Sequence, residues 1–275
     1  MRDTTDYKAI FEGVESALIR VGNQDGRAED MNRRLERFKS MATRTFTDAD
    51  YFQKMVHIVF YAGFKAARVE QKRSTIDGHL PDHRTVASYG SEEVRIMLAD
   101  PAMIRNKAKI QACIDNARTF KALVDQNGSF QSYVDSFSPK LSFANLMRLR
   151  EDLIERFAFI SKITAYHFLT DIGMDVLKPD RVISRIFSRL ELIDGDGKGT
   201  TEDDLSQVVD TGRRLAQATQ QPIRYVDIVF VSYGQMKSEG IGVEQGICLE
   251  KDPRCNLCAV TNYCRYFAQK QSVKT

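Results

Sequence analysis

FAFISKITAYHFLTDIGMDVLKPDRVISRIF, residues 157–187, carries two helical runs, a glycine and then a lone carboxylate. A run ending near Phe157 gives way to a short break. A second helix is predicted from about Ile163 to Ile172 and ends at Gly173, because glycine takes a left-handed C-cap at little steric cost. Lys178-Pro179 then leads into Asp180, ahead of a further helical run containing Arg185. A carboxylate in that place accepts the free N–H groups of the helix it precedes, and the helix dipole keeps it ionised. Read on these residues alone, Asp180 is first a helix cap, with a catalytic role as the sharper alternative.

Outward toward the C-terminus, Cys248, Cys255, Cys258 and Cys264 are four of the chain's five cysteines, spaced C-x6-C-x2-C-x5-C. The first residues, MRDTTDYKAIFEG, are charged from the second position and have no apolar core, so they do not read as a secretory signal. No apolar run approaches the length of a membrane span. The expectation is a cytoplasmic protein, where clustered cysteines serve as metal ligands more often than as disulfides. Four thiolates suit one zinc ion or one [4Fe-4S] cluster. Structural zinc usually takes two close cysteine pairs well apart, whereas here one close pair is flanked by two single cysteines. Such a compact loop can wrap a cuboidal cluster. A disulfide pair or four unrelated thiols is the plainer alternative. Cys113, alone in KIQACIDNAR, reads as a buried small apolar residue.

The rest of the chain is helical by pattern. In DYKAIFEGVESALIRV (6–21), Ile10, Phe11, Val14, Leu18 and Val21 recur at helical spacing. GNQDGRAED (22–30) reads as a polar linker. MVHIVFYAGFKAARVEQ is apolar nearly all round in its first half, as a central buried helix would be. PAMIRNKAKIQACIDNARTFKALVDQ is a helix with Pro101 early that stops before Asn127-Gly128. YVDIVFVSYG (225–234) conflicts, since its valines, isoleucine and aromatics favour a strand. DGDGKGTTEDDL (194–205) imitates a calcium loop, but Lys198 and Leu205 stand where ligands are required, so a solvated acidic loop is expected. His79 and His83 give a weak metal signal, and His57 and His167 read as packed core residues. A net charge of +3 neither demands nor excludes a nucleic-acid partner.

Three stretches resemble the helix-hairpin-helix DNA glycosylase superfamily. YGQMKSEGIGVEQGICLEKDPRCNLCAVTNYC is similar to the cluster loop of endonuclease III, with all three cysteine gaps shared. Gly173 to Asp180 is seven residues and Asp180 to Arg185 is five, the separations found in endonuclease III. MVHIVFYAGFKAARVEQKRSTI and IRNKAKIQACIDNARTF resemble 3-methyladenine DNA glycosylase I. The resemblance implies an all-α, two-lobed fold: a helical barrel lobe over 31–172, and a discontinuous second lobe of 1–30 and 173–275 with a [4Fe-4S] loop at 248–264. It places YVDIVFVSYG on a buried helix, overriding propensity. It implies a monomeric, membrane-free enzyme that acts on double-stranded DNA in base excision repair. In that reading Asp180 is the catalytic carboxylate in the cleft between the lobes. Ser161, Lys162, Thr164 and Arg185 contact DNA. Lys107, Lys109 and Arg118, like Lys162 and Arg185, read on their own first as solvated charges, with a phosphate contact as the sharper alternative. Tyr61, Gly63, Phe64, Lys65 and Ala66 form the base pocket, and Cys248, Cys255, Cys258 and Cys264 hold the cluster.

The departures from the resemblance also inform. The hairpin's usual two glycines are absent from Ala158-Phe159-Ile160-Ser161. Ala66 replaces the family's base-stacking tryptophan, and Ile58 its pocket glutamate, which implies a larger pocket than 3-methyladenine needs. Lys162 falls on the Schiff-base lysine of the strand-cutting members when counted back from Gly173, but aligning on Thr164-Ala165 puts Ile163 there. The reading adopted is a monofunctional glycosylase. The alternatives are a glycosylase/lyase using Lys162, a non-catalytic iron-sulfur DNA-binding module, and a zinc-stapled scaffold without nucleic acid.

Overall fold

Thr47 opens the helix that organises residues 45–174. Its hydroxyl accepts from Asp50 N while the Asp50 carboxylate accepts from Thr47 N, a reciprocal capping box. In a computed structural model, which describes residues 5–24, 28–39, 45–64, 66–236 and 243–272, the chain is all-α as expected. It divides into two units, 45–174, and 1–44 together with 175–275.

Within 45–174 the order is α3 (Asp48–Tyr61), α4 (Ala66–Glu70), α5 (Arg73–His79), α6 (His83–Ala87), α7 (Ser91–Ala99), α8 (Lys107–Asn127), α9 (Phe130–Ser136), α10 (Phe143–Arg156) and α11 (Lys162–Asp171). Residues 55–60 of α3 are buried all round, as their run, apolar except for His57, predicts. The long helix α8 starts at Lys107, six residues beyond Pro101, because Asn106 supplies the cap. It stops at Asn127, and Gly128 follows at φ +84°. Aromatic side chains fill this unit: Phe120 and Phe130 stack with centroids 4.1 Å apart, and Phe52, Phe157 and Phe168 are fully buried. Each such ring contributes on the order of 2 kcal/mol by leaving water.

The other unit contains α1 (Tyr7–Gln24), α2 (Ala28–Lys39), α12 (Arg181–Arg189), α13 (Glu202–Thr219), α14 (Ile223–Gly234) and α15 (Arg265–Ser272). Ile10, Phe11, Val14, Leu18 and Val21 are all buried, so the predicted stripe on α1 is the buried face. Met31, Leu35 and Phe38 of α2 join the same core as α1, α12 and α14. Residues 31–39, expected in the barrel lobe, therefore pack with α1 instead, because the apolar face of α2 is buried in this core. YVDIVFVSYG lies on α14, a helix, with Tyr225, Val226, Asp227, Val229, Phe230, Ser232, Tyr233 and Gly234 buried. Burial on several sides satisfies β-branched side chains in a helix, and this outweighs their modest strand preference. No helix among the described residues is long and apolar enough to cross a membrane.

Candidate functional site

Asp180 is the N-cap of α12. Its Oδ1 accepts from Val182 N at 2.9 Å and Ile183 N at 3.0 Å, and Oδ2 has no partner among the described residues. One oxygen is thus fixed at the positive end of a helix and the other is left for a ligand. The segment leading to it is anchored from α14. Asp227, 2% exposed, accepts Lys178 N through Oδ1 at 3.1 Å and takes the Arg224 guanidinium on Oδ2. Burial pushes the Asp227 carboxyl above its ordinary range, against the pull of Arg224. Sequence reasoning passed over Asp227. Its signal was a single carboxylate inside an otherwise apolar helix, which has to be paired when buried.

The cysteine loop is held against α12 and α14. Arg185 donates to Gly234 O at 2.7 Å and Cys248 O at 3.1 Å. Arg189 donates to Cys248 Sγ at 3.3 Å, Leu249 O at 2.7 Å and Glu250 O at 3.1 Å. Tyr233 Oη donates to Cys258 Sγ at 3.0 Å. Gly246 passes so close to α14 that a Cβ would lie 2.7 Å from the Tyr233 and Gln235 carbonyl oxygens. Two 3-10 turns, Cys255–Leu257 and Thr261–Tyr263, bring the four cysteines around one small cavity that Arg189 also lines. All four are free thiols, not disulfides. Among the described residues no three His, Cys, Asp or Glu side chains are arranged to hold a single metal ion. A four-thiolate set beside arginine donors fits an anionic cluster that takes one sulfur at each corner.

In the 45–174 unit the hairpin turn joins α10 to α11 without glycine. Phe159 takes the left-handed conformation at φ +62°, a strained choice for a side chain of this size. The turn is clamped by Asn116, 2% exposed, which donates to Ala158 O at 3.0 Å and accepts Ala158 N at 2.8 Å. Ser161 caps α11. Ser161 N donates to Thr164 Oγ1 at 2.6 Å, and Thr164 Oγ1 donates to Phe159 O at 3.0 Å. Both hydroxyls are therefore engaged within the turn. Lys162, the first residue of α11, is exposed.

The expected pocket residues follow α3. Tyr61 ends that helix with its hydroxyl donating to Glu70; burial first, and then that bond, holds the phenol well above its ordinary range. Gly63 turns at φ +76°, Phe64 is half-buried, Lys65 lies outside the described residues, and Ala66 begins α4. Lys109 corrects an expectation. Expected as a solvated charge or a phosphate contact, it is 4% exposed, and its ammonium donates to Val59 O and Ala62 O, carbonyls at the end of α3. It lies 5.3 Å from the Phe64 ring centre and 4.6 Å from that of Phe159, so it ties the hairpin to the pocket residues by cation–π contact. Arg118 is likewise engaged, donating to Tyr89 O at 2.8 Å and pairing with Asp115 at 3.0 Å. His79 pairs with Asp100 at 2.8 Å, while His83 is buried against Phe120, so the two share no site.

The methyladenine glycosylase family's sequence model matches residues 41–178, just over half of the chain. A solved 3-methyladenine DNA glycosylase I is 26% identical, over 47% of this chain and 80% of its own, with a TM-score of 0.41. The 8-oxoguanine DNA glycosylase of Methanocaldococcus jannaschii is 18% identical, over 78% of this chain and 90% of its own, at a TM-score of 0.51. An 8-oxoguanine glycosylase/lyase of the same organism, solved with a 15mer DNA containing 8-oxoguanine, matches at 19% identity and a TM-score of 0.51, over 79% and 94% of the two chains. These last two are likenesses of fold. The chain belongs to the methyladenine glycosylase family, within the helix-hairpin-helix DNA glycosylase superfamily.

Proposed function

We propose that the protein flips a damaged or modified base out of double-stranded DNA and hydrolyses its N-glycosidic bond, with Asp180 as the catalytic carboxylate. The observation that carries this is the division of labour on Asp180, one oxygen fixed by two N–H groups and the other unpartnered, in a chain of this family. Flipping costs a few kcal/mol and brings the glycosidic bond to the carboxylate. As the bond breaks, its electron pair leaves with the base and positive charge builds on the deoxyribose. Asp180 stabilises that charge and accepts a proton from the water that adds to the sugar carbon. The start of α11, with its N–H groups and positive dipole, offers a backbone phosphate a docking point.

The four cysteines would hold a [4Fe-4S] cluster, which supplies structure to the loop and no step of the hydrolysis. Ala66 in place of an indole favours a base bulkier than 3-methyladenine. Lys162 is exposed, whereas a Schiff-base lysine is activated by desolvation, which supports hydrolysis without strand cleavage.

The test is a panel of duplexes carrying alkylated, oxidised, deaminated and bulky modified bases. Base release by wild type should fall at least about 100-fold in Asp180→Asn, and borohydride should trap no adduct. Adducts that vanish in Lys162→Ala would establish the lyase. Tight binding with no release from any duplex would leave a binding module.

A further inference from the structure

Arg181, Arg185 and Arg189 recur every four residues on α12, so their side chains form one stripe. With Lys198 and Arg265 they line a cavity of about 490 Å³, within the size range of ligand sites. Its only carboxylates are Asp196 and Glu250. Five cations against two carboxylates leave a surplus of three, equal to the formal net charge of the entire chain. Among the described residues the one ion pair between lining side chains, Lys198–Asp196 at 3.1 Å, is largely exposed and so weak.

Three of the four arginines are also held in place. Arg185 and Arg189 are fixed by the carbonyls of Gly234, Cys248, Leu249 and Glu250, and Arg265 by Ser188 and Gly195. Each guanidinium has five N–H donors, and these bonds use only part of them. The Arg185 Nε is buried and has no acceptor. Fixed guanidinium groups with donors to spare match the oxygens of a phosphate better than mobile lysines do.

We propose that this cavity is a phosphate-binding site, distinct from the hairpin, at which α12 and α15 grip the backbone of DNA. Assigning the phosphate to DNA rests on the proposed function; the cavity's chemistry for phosphate does not. Arg181 directly follows Asp180, so a phosphate held here anchors the helix that carries the carboxylate.

The experiment uses the full chain and undamaged duplex, so it does not depend on base release. Arg181→Gln with Lys198→Gln removes two exposed charges and leaves the Arg185 and Arg189 bonds to the cysteine loop intact. Unchanged circular dichroism and melting temperature establish that the variant is folded. The expected result is at least a tenfold weaker complex at low salt. The slope of log affinity against log salt should fall by about 0.9, the counterion release of one phosphate contact. A second arm measures melting with inorganic pyrophosphate. An unchanged salt slope, with pyrophosphate stabilising wild type but not the variant, would keep the phosphate site and give it to a small phosphorylated ligand. Unchanged slope together with no pyrophosphate effect overturns the proposal.

Discussion

Asp227 shows how one buried charge shapes the site. It takes Lys178 N and Arg224 at once, so it fixes the segment that delivers Asp180. Asp227→Ala removes both bonds, including the ion pair to Arg224. Urea unfolding should register a loss of about 3 kcal/mol or more, the scale of breaking a buried pair. Base release should fall with it. Asp227→Asn keeps an oxygen for Lys178 N and should lose clearly less on both counts. Equal losses in the two variants would mean that the charge toward Arg224, not the bond to Lys178, holds the segment. At this scale the sequence displayed Asp180 through its spacing from Gly173, but Asp227 looked like one polar letter in an apolar word. Only the fold shows what it meets.

Elements explain where patterns succeeded and where they misled. The hairpin keeps its turn without glycine because Asn116, forty-two residues upstream, clamps Ala158 from α8. No local signal marks such a clamp. A pH prediction belongs to α6, whose first residue His83 packs 4.9 Å from Phe120 with neither ring nitrogen hydrogen-bonded. Burial lowers its pKa from 6.5, reinforced by Arg84 and opposed by Asp48 and Asp82. His57 on α3 is lowered by burial too, against its 2.5 Å bond to Asp77. Folded imidazoles thus stay neutral where unfolded ones take up protons. Their contribution to stability is complete above about pH 6.5 and is lost as pH falls below it toward the folded pKa. Urea titrations at pH 7.5 and 5.5 should show that loss. His83→Leu should flatten it by less than about 1 kcal/mol, given partial solvent screening. An identical acid limb in the variant would remove His83 from the account.

For the whole molecule, the cysteine loop packs on α12 and α14, and Val260 within it closes the core that includes α1. A cluster bound by the loop would stabilise all of residues 1–44 and 175–275. Purified wild type should absorb in the visible and yield about four iron atoms per chain. Cys255→Ala should lose both and melt at lower temperature. A colourless protein carrying one zinc would instead establish the ion, whose filled d shell gives no such bands. The sequence by itself determined the helical class, where α8 and α11 stop, the stripe on α1 and the spacing of cysteines and Asp180. These follow from local periodicity, capping chemistry and intervals along the chain. Tertiary structure alone decided that α2 belongs with α1, that Lys109 is an internal anchor, and that five cations share a cavity. Each of those depends on burial or on charges brought together from distant positions, and neither is a property of any window of residues.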